Sequence, residues 1–395
     1  MIPTPNQKQA VRTILKAKQP VLWAGAIRSG KTVGGALGLA LHAQSRKGQY
    51  IVAGKSHTAV KRNVVPYIRD VCKSLHIPYT FKRSEQTLIV NSSELYLFGA
   101  NNEASQDYIQ GLTVDGFLLD ELPLLPKSFY VQAIGRCSKP DPFMLATMNK
   151  VSPNHWTKTE LIDEGAVDLI ESMIEDNPHI AQETIDLYRR SIGGHYAARM
   201  LDNLWADATG RIWADIPEVG SVKIDGPVYA GVDAAESGTT AAIFIRRLYD
   251  SFGKSTNNWA IVGEYTHTGV KPYAEHAKMI AQWNPFHCYV DPSAPGLKDA
   301  LRKQGLNVSS ANNNVEKGLQ TVSSAIMRGR LFHVGGKCPK LLKEMSGYVW
   351  DEKAAEQGED KPVKQGDHHC DALRYVAIHK IPMVSLQPIK KGAGL

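Results

Sequence analysis

No stretch of the 395 residues approaches the ~20 consecutive apolar residues that a bilayer-crossing helix needs, which excludes a helical membrane protein. The five cysteines, Cys72, Cys137, Cys288, Cys338 and Cys370, lack CxxC spacing, which argues against a disulfide framework and against a zinc site. The opening Met1-Ile2-Pro3-Thr4-Pro5-Asn6-Gln7 has no basic segment running into an apolar core, so a cytoplasmic protein is expected rather than a secreted one. Charge of one sign is in short supply too: 46 Lys and Arg against 39 Asp and Glu leave a net charge of +7. Basic pairs such as Lys61-Arg62, Lys82-Arg83 and Arg189-Arg190 are dispersed, so charge is compatible with nucleic acid and assigns nothing. With 43% hydrophobic and 22% charged residues the composition is that of a globular protein, long enough for two domains.

What is present begins with Gly25-Ala26-Ile27-Arg28-Ser29-Gly30-Lys31-Thr32, the spacing G-x-x-x-x-G-K-T directly after the apolar run Val21-Leu22-Trp23. In such a loop Gly25, Ser29 and Gly30 let backbone N–H groups approach phosphate oxygens, Lys31 supplies a point charge and Thr32 an oxygen for Mg²⁺. The small residues from Val33 to Leu41 read as a closely packed helix, completing strand, loop and helix. Short apolar runs at 50–53, 88–90, 95–98 and 116–119, with a helical stretch near 64–75, predict an α/β domain. The run at 116–119 ends in Asp120-Glu121: Asp120 is placed to hold Mg²⁺ with Thr32, and Glu121 to orient the attacking water. Gln7, about twenty residues before the loop, is placed to read an adenine edge. Arg28 is placed to reach a γ-phosphate or, equally, to pair with a neighbouring acid. The strand-like run at 143–149 ends in Thr147-Met148-Asn149, whose polar residues are placed to sense the nucleotide.

The pattern breaks between 207 and 227, predicting a phosphate-loop ATPase domain over 1–206, a linker over 207–227 and a second domain over 228–395. The second domain reads as strands at 228–233, 239–245 and 259–265, a helix near 272–282 and a strand at 288–291. That is the order of an RNase H-like mixed sheet. In such a sheet the first and fourth strands are neighbours, so Asp233 and Asp291 lie side by side. A late helix at 367–377 carries Asp367, His368 and Asp371 at spacings that share a face. His368-His369-Cys370 taken alone is a solvated helix turn. Carboxylates so clustered suit two Mg²⁺ or Mn²⁺ ions, which stabilise the attacking water and the leaving 3′ oxygen in phosphodiester cleavage. The rival enzyme with both chemistries is a helicase-nuclease of repair or replication. A third reading, a nucleotide-binding and DNA-binding scaffold, predicts no phosphate release, and the intact set Lys31, Asp120 and Glu121 argues against it.

These motifs together resemble the large terminase subunit of tailed bacteriophages. The likeness lies in the loop at 25–32, in Gln110-Gly111-Leu112-Thr113 leading to Asp120-Glu121, in Asn149 with His155-Trp156, in Asp176-Asn177-Pro178, in Gly231-Val232-Asp233, and in Asp367-His368-His369-Cys370-Asp371-Ala372-Leu373-Arg374-Tyr375. It spans nearly the whole chain and departs at Thr147-Met148-Asn149-Lys150, where that family often has hydroxyl-rich residues and then Asn-Pro. The resemblance implies ATP hydrolysis at Asp120 and Glu121, coupling through Thr147 and Asn149, and a metal-binding nuclease triad of Asp233, Asp291 and Asp371 with Asp367 and His368 as helpers. It further implies a motor that moves double-stranded DNA into an empty capsid as a homo-oligomeric ring on a portal protein. A small terminase subunit selects the DNA, and the site of action is the host cytoplasm with transient docking on the procapsid.

Overall fold

The computed structural model describes residues 3–219, 223–234, 238–250 and 252–382. Among these, two sheets form, each in its own compact unit. The first unit comprises Met1–Ile185, Gly194–Ala208 and Lys353–Asp360; the second comprises Asp186–Gly193, Thr209–Glu352 and Lys361 onward.

The first sheet has eight strands: β1 (Val21–Gly25), β2 (Gln49–Gly54), β3 (Tyr79–Lys82), β4 (Thr87–Val90), β5 (Ser93–Gly99), β6 (Gly116–Leu119), β7 (Phe143–Met148) and β8 (Asp168–Ser172). Their order is β3-β4-β5-β2-β6-β7-β1-β8, with the six strands from β5 to β8 parallel. Strand periodicity divides the core into two faces. Trp23, Val52, Leu118 and Leu145 belong to one apolar cluster, and their chain neighbours Leu22, Ile51, Phe117 and Ala146 to another. Both faces are covered, so β1 is buried along its whole length. The helix Lys31–Ser45 lies tight on the first face, where a Cβ at Gly34 would stand 2.4 Å from the Trp23 ring.

The second sheet holds β9 (Lys223–Asp233), β10 (Thr239–Tyr249), β11 (Ser255–Thr268), β12 (His287–Val290), β13 (Val308–Ser310) and β14 (Leu331–His333), in the order β13-β12-β9-β10-β11-β14. β9, β10 and β11 are antiparallel neighbours, while β12 runs parallel beside β9 with Val290 opposite Val232. The helix His368–Lys380 is buried along most of its length, with Ala372, Leu373, Val376 and Ala377 fully buried and Asp371 and Arg374 buried among them. It lies so close to β9 that a Cβ at Gly231 would fall 2.0 Å from the Ala372 carbonyl oxygen and 2.9 Å from the Val376 nitrogen. Only glycine permits this approach, which sets the depth of the helix against the strand.

Three parts of the chain depart from the division expected from composition, the first being Asp186–Gly193, which belongs to the second unit. Residues 209–219 are not a free linker: Trp213 is buried with its Nε1 donating to the Leu319 carbonyl (3.1 Å), and Ile212 N donates to the Tyr348 carbonyl (2.9 Å), all in the second unit. Lys353–Asp360, deep in the second half of the sequence, packs in the first unit, where the Arg199 guanidinium grips Asp360 through both Nη atoms, the Nη2 bond being 3.0 Å. Polar contacts between residues far apart in sequence carry no local pattern that a window of composition detects. No helix among the described residues is long and apolar enough to cross a membrane.

Gly231→Ala should force the 368–380 helix outward and lower stability by roughly 1–3 kcal/mol; urea unfolding checks it, and an unchanged midpoint rejects the close-packing account. Beside Arg199 and Asp360, burial first and the Arg199 charge second hold His155 and His195 at about 4. The folded chain therefore binds fewer protons than the unfolded one below the ordinary histidine value, so this contribution is full above pH ~6.5 and drains away toward pH 4. Unfolding free energy should fall between pH ~7 and pH ~4.5, with a shallower slope in the His155→Gln, His195→Gln double variant; equal slopes contradict the assignment.

Candidate functional site

In the first unit the phosphate loop is stitched at both ends. Ala26 N donates to the Ser172 carbonyl (2.9 Å) and Ile27 N to the Met200 carbonyl (2.7 Å). Ser172 Oγ donates to Ser29 Oγ (2.9 Å) and accepts from Trp23 Nε1 (3.1 Å), so Ser29 is buried as a brace. Gly30 has φ +94°, a left-handed conformation that leads into the helix Lys31–Ser45, whose first N–H groups have no intrahelical partner. Gly25 is the last residue of the buried β1 and would clash with Ser172 if it carried a Cβ.

Lys31 is buried inside this loop, its Nζ donating to the carbonyls of Gly25 (2.7 Å) and Ala26 (2.8 Å). Burial lowers its pKa to about 8, against the pull of Glu121 and Asp120, which favour the charged form. Asp120, at the end of β6, is two strands from β1, and β7 fills the gap. Thr147 on β7 donates its hydroxyl to Asp120 Oδ1 (2.8 Å) while accepting from the Glu121 N–H (3.2 Å), and Thr32 Oγ1 donates to the same Asp120 oxygen (3.2 Å). Burial raises the Asp120 pKa, opposed by both hydroxyls and by Lys31. Glu121 sits at φ 55°, a costly conformation for a non-glycine residue, and its backbone is fixed there by Thr147.

Three expected residues occupy places that refine their roles. Gln7 faces the loop: its Nε2 donates to the Gly30 carbonyl (3.1 Å) and its Oε1 accepts from Thr4 N (2.9 Å), closing the helix Pro5–Ile14 onto the loop. Arg28 stands at φ 61° with its carbonyl accepting from Asn177 Nδ2 (2.6 Å), and its Nη2 is buried without a hydrogen-bond partner among the described residues. Asn149 Nδ2 is buried in the same condition.

In the second unit Asp233 ends β9 and Asp291 follows β12, its N–H donating to the Val232 carbonyl (3.0 Å). The parallel register thus sets the two carboxyls side by side. Burial, with Asp371 and Asp291 adding repulsion, lifts Asp233 to about 6, although His368 Nδ1 bonds its Oδ2 at 2.9 Å and favours the ionised form. Asp291 is also penalised by burial, but Ser293, the Tyr375 hydroxyl (2.8 Å) and Asp233 outweigh this and leave its pKa below the ordinary value.

Asp371, in the first turn of the helix His368–Lys380, has both oxygens engaged by cations. Arg374 donates to Oδ1 from Nε (3.0 Å) and Nη2 (2.6 Å), and Lys364 Nζ reaches Oδ2 at 3.0 Å and Asp367 Oδ2 at 3.1 Å. No three His, Cys, Asp or Glu side chains among the described residues are gathered as a finished metal site. The donor set fits hard divalent ions: Asp371 and Asp291 both push the Asp233 carboxyl up, and an ammonium is already drawn between Asp367 and Asp371.

His369 and Cys370 are buried, which corrects the expectation of a solvated turn; His369 Nδ1 bonds Glu344 Oε1 at 2.6 Å. Lys364, Arg374, Tyr375 and Glu344 had no sequence-level assignment. Arg374 and Tyr375 lie three and four residues beyond Asp371 on one helix face, which is a signal; Lys364 and Glu344 approach from other segments and leave none.

Both halves of the chain have counterparts among known proteins. A family model for the N-terminal part of the large terminase subunit, T4-like virus type, matches residues 22–216, and one for the terminase RNase H-like domain matches residues 230–380. Among solved structures, the chain is similar to the large terminase of a thermophilic bacteriophage, with a TM-score of 0.85 and 29% identity over 95% of this chain and 98% of that one. The same phage protein in complex with ADP matches with a TM-score of 0.82 and 29% identity over 94% and 98% of the two chains. Its complex with ATP-gamma-S matches with a TM-score of 0.81 and 28% identity over the same shares, 94% and 98%. No curated protein sequence matches. Two terminase models in consecutive halves, and a likeness along almost the full length, identify the chain as a member of the phage large terminase subunits, an ATPase domain followed by an RNase H-like nuclease domain.

Proposed function

We propose that this chain is the motor that drives double-stranded DNA into an empty viral capsid by hydrolysing ATP and cuts concatemeric DNA when packaging starts and ends. The observation that carries the reading is the pairing, in one chain, of a phosphate loop whose Thr32 bonds Asp120, itself tied to Glu121 through Thr147, with a cluster of carboxylates at an RNase H-like sheet. The ADP and ATP-gamma-S complexes of the thermophilic phage's large terminase support ATP as the substrate here.

At the first site Lys31 leaves its loop carbonyls for the phosphates, and the helix N-terminus at Lys31 receives their charge. Glu121 orients water for attack on the γ-phosphorus, the bond to the β,γ-bridging oxygen breaks, and ADP and phosphate leave. Arg28 turns its buried guanidinium toward the developing charge. Mg²⁺ held by Thr32 and Asp120 supplies charge neutralisation when bound. Thr147, joined to both acids, reports the state of the site to the segment that continues through Asn149. At the second site Asp233, Asp291 and Asp371, flanked by Asp367 and His368, would hold two Mg²⁺ or Mn²⁺ ions, which would supply Lewis-acid stabilisation of the charge that develops in phosphodiester cleavage. His368 orients the Asp233 carboxylate, and Tyr375 orients that of Asp291. The partners of this reading are double-stranded DNA, a portal protein, a small terminase subunit and further copies of the chain in a ring, docked on a procapsid in the host cytoplasm.

Glu121→Gln should bind ATP as the wild type does while turnover falls by about a hundredfold or more; an unchanged rate removes Glu121 from the reaction. Asp233→Asn and Asp291→Asn should each abolish Mg²⁺- or Mn²⁺-dependent plasmid cleavage and leave ATP hydrolysis intact, and persistent cutting by either purified variant takes that residue out of the site. On a forked duplex with ATP the motor reading predicts no strand separation; unwinding would favour a helicase-nuclease.

A further inference from the structure

The acid cluster contains one cation that is fixed and one that is exchangeable. Arg374 is the fixed one: its side chain is 2% exposed and is tied to Asp371 Oδ1 by two donors from the same helix. Lys364 differs in every respect. Its side chain is 59% exposed while those of Asp367 and Asp371 are 10% exposed, so its ammonium enters the cluster from the solvent side. Its backbone is held just upstream, where Val363 N donates to the Val349 carbonyl (3.0 Å) and Pro362 bridges to Trp350, and Gly366 at φ 62° turns the chain into the helix. The backbone beside the lysine is thereby anchored while its ammonium bonds both carboxylates from an exposed side chain. An ammonium is a compact point charge with no directional fork, and an ion pair this exposed is weak on its own.

We infer that Lys364 is the resident counter-ion of the nuclease cluster: its ammonium sits between Asp367 and Asp371 in the place a divalent cation takes, and metal enters by displacing it. The inference rests on reading the cluster as a metal site. It makes Lys364 a positioning residue. Lys364 keeps Asp367 and Asp371 turned toward each other before metal arrives, and it sets a threshold of metal concentration below which the cluster stays closed. Arg374 stays on Oδ1 throughout, leaving Oδ2 of Asp371 for the ion.

The test uses the full chain and Mn²⁺ alone, by calorimetric titration and thermal melting. Lys364→Met should bind Mn²⁺ roughly tenfold more tightly than wild type, the scale of one lost hydrogen bond between charged groups. It should also melt lower without metal and gain more in melting temperature when Mn²⁺ is added. Lys364→Arg keeps a cation in place and should show no gain in affinity. Lys364→Gln is the second neutral variant should the methionine prevent folding, with the same tightening expected. Asp371→Asn identifies the heat belonging to this cluster by losing it. Equal or weaker Mn²⁺ binding by the neutral variants, with an Asp371-dependent signal intact, overturns the role of Lys364 alone. Absence of any Asp371-dependent binding in wild type and variants overturns the metal-site reading and this inference together.

Discussion

Carboxylates brought to the ends of neighbouring strands repel one another and resist leaving water, and both units of this chain meet that cost by supplying partial compensation rather than full neutralisation. In the first unit Asp120 receives two hydroxyl donors and a nearby buried lysine. In the second, four acids share Arg374, Lys364 and a bond from His368. What remains is a site short of positive charge, which is the condition under which Mg²⁺ or Mn²⁺ binds and stays.

Positioning follows from backbone packing more than from the acids themselves. The parallel pairing of β12 with β9 fixes Asp291 beside Asp233 through a single register, and a slip of one residue would turn one carboxyl to the opposite face. The missing Cβ at Gly231 lets the 368–380 helix descend until Asp371 meets them. In the first unit β7 stands between the strand that carries the loop and the strand that carries Asp120, which is why a residue of β7, Thr147, contacts both acids. The position that contacts both acids is thus a consequence of strand order.

Sequence reading reached as far as local pattern and strand order extend. The phosphate loop, Asp120-Glu121 after a four-residue apolar run, and the adjacency of Asp233 and Asp291 were legible because each is set by a contiguous motif or by a known sheet order. Gln7 is legible as a residue near the loop, while its contact with Gly30 shows only in the fold, because an amide there suits a base edge or a carbonyl equally. β8 went unread because its residues alternate weakly along a sheet edge, with Leu169 exposed. Lys364, Glu344 and the packing of Lys353–Asp360 in the first unit were invisible for one reason, since each depends on contacts between segments that share no spacing.

The central claim is that the two chemistries serve transport of double-stranded DNA, and the most direct measurement is nuclease protection of linear duplex DNA mixed with purified chain, ATP, Mg²⁺ and portal-bearing procapsids of the same virus. The account predicts that DNA becomes resistant to added nuclease only with hydrolysable ATP, in lengths that grow with time until the capsid is full. ATP hydrolysis and cutting without any protected DNA, in procapsids shown to be intact, would contradict it.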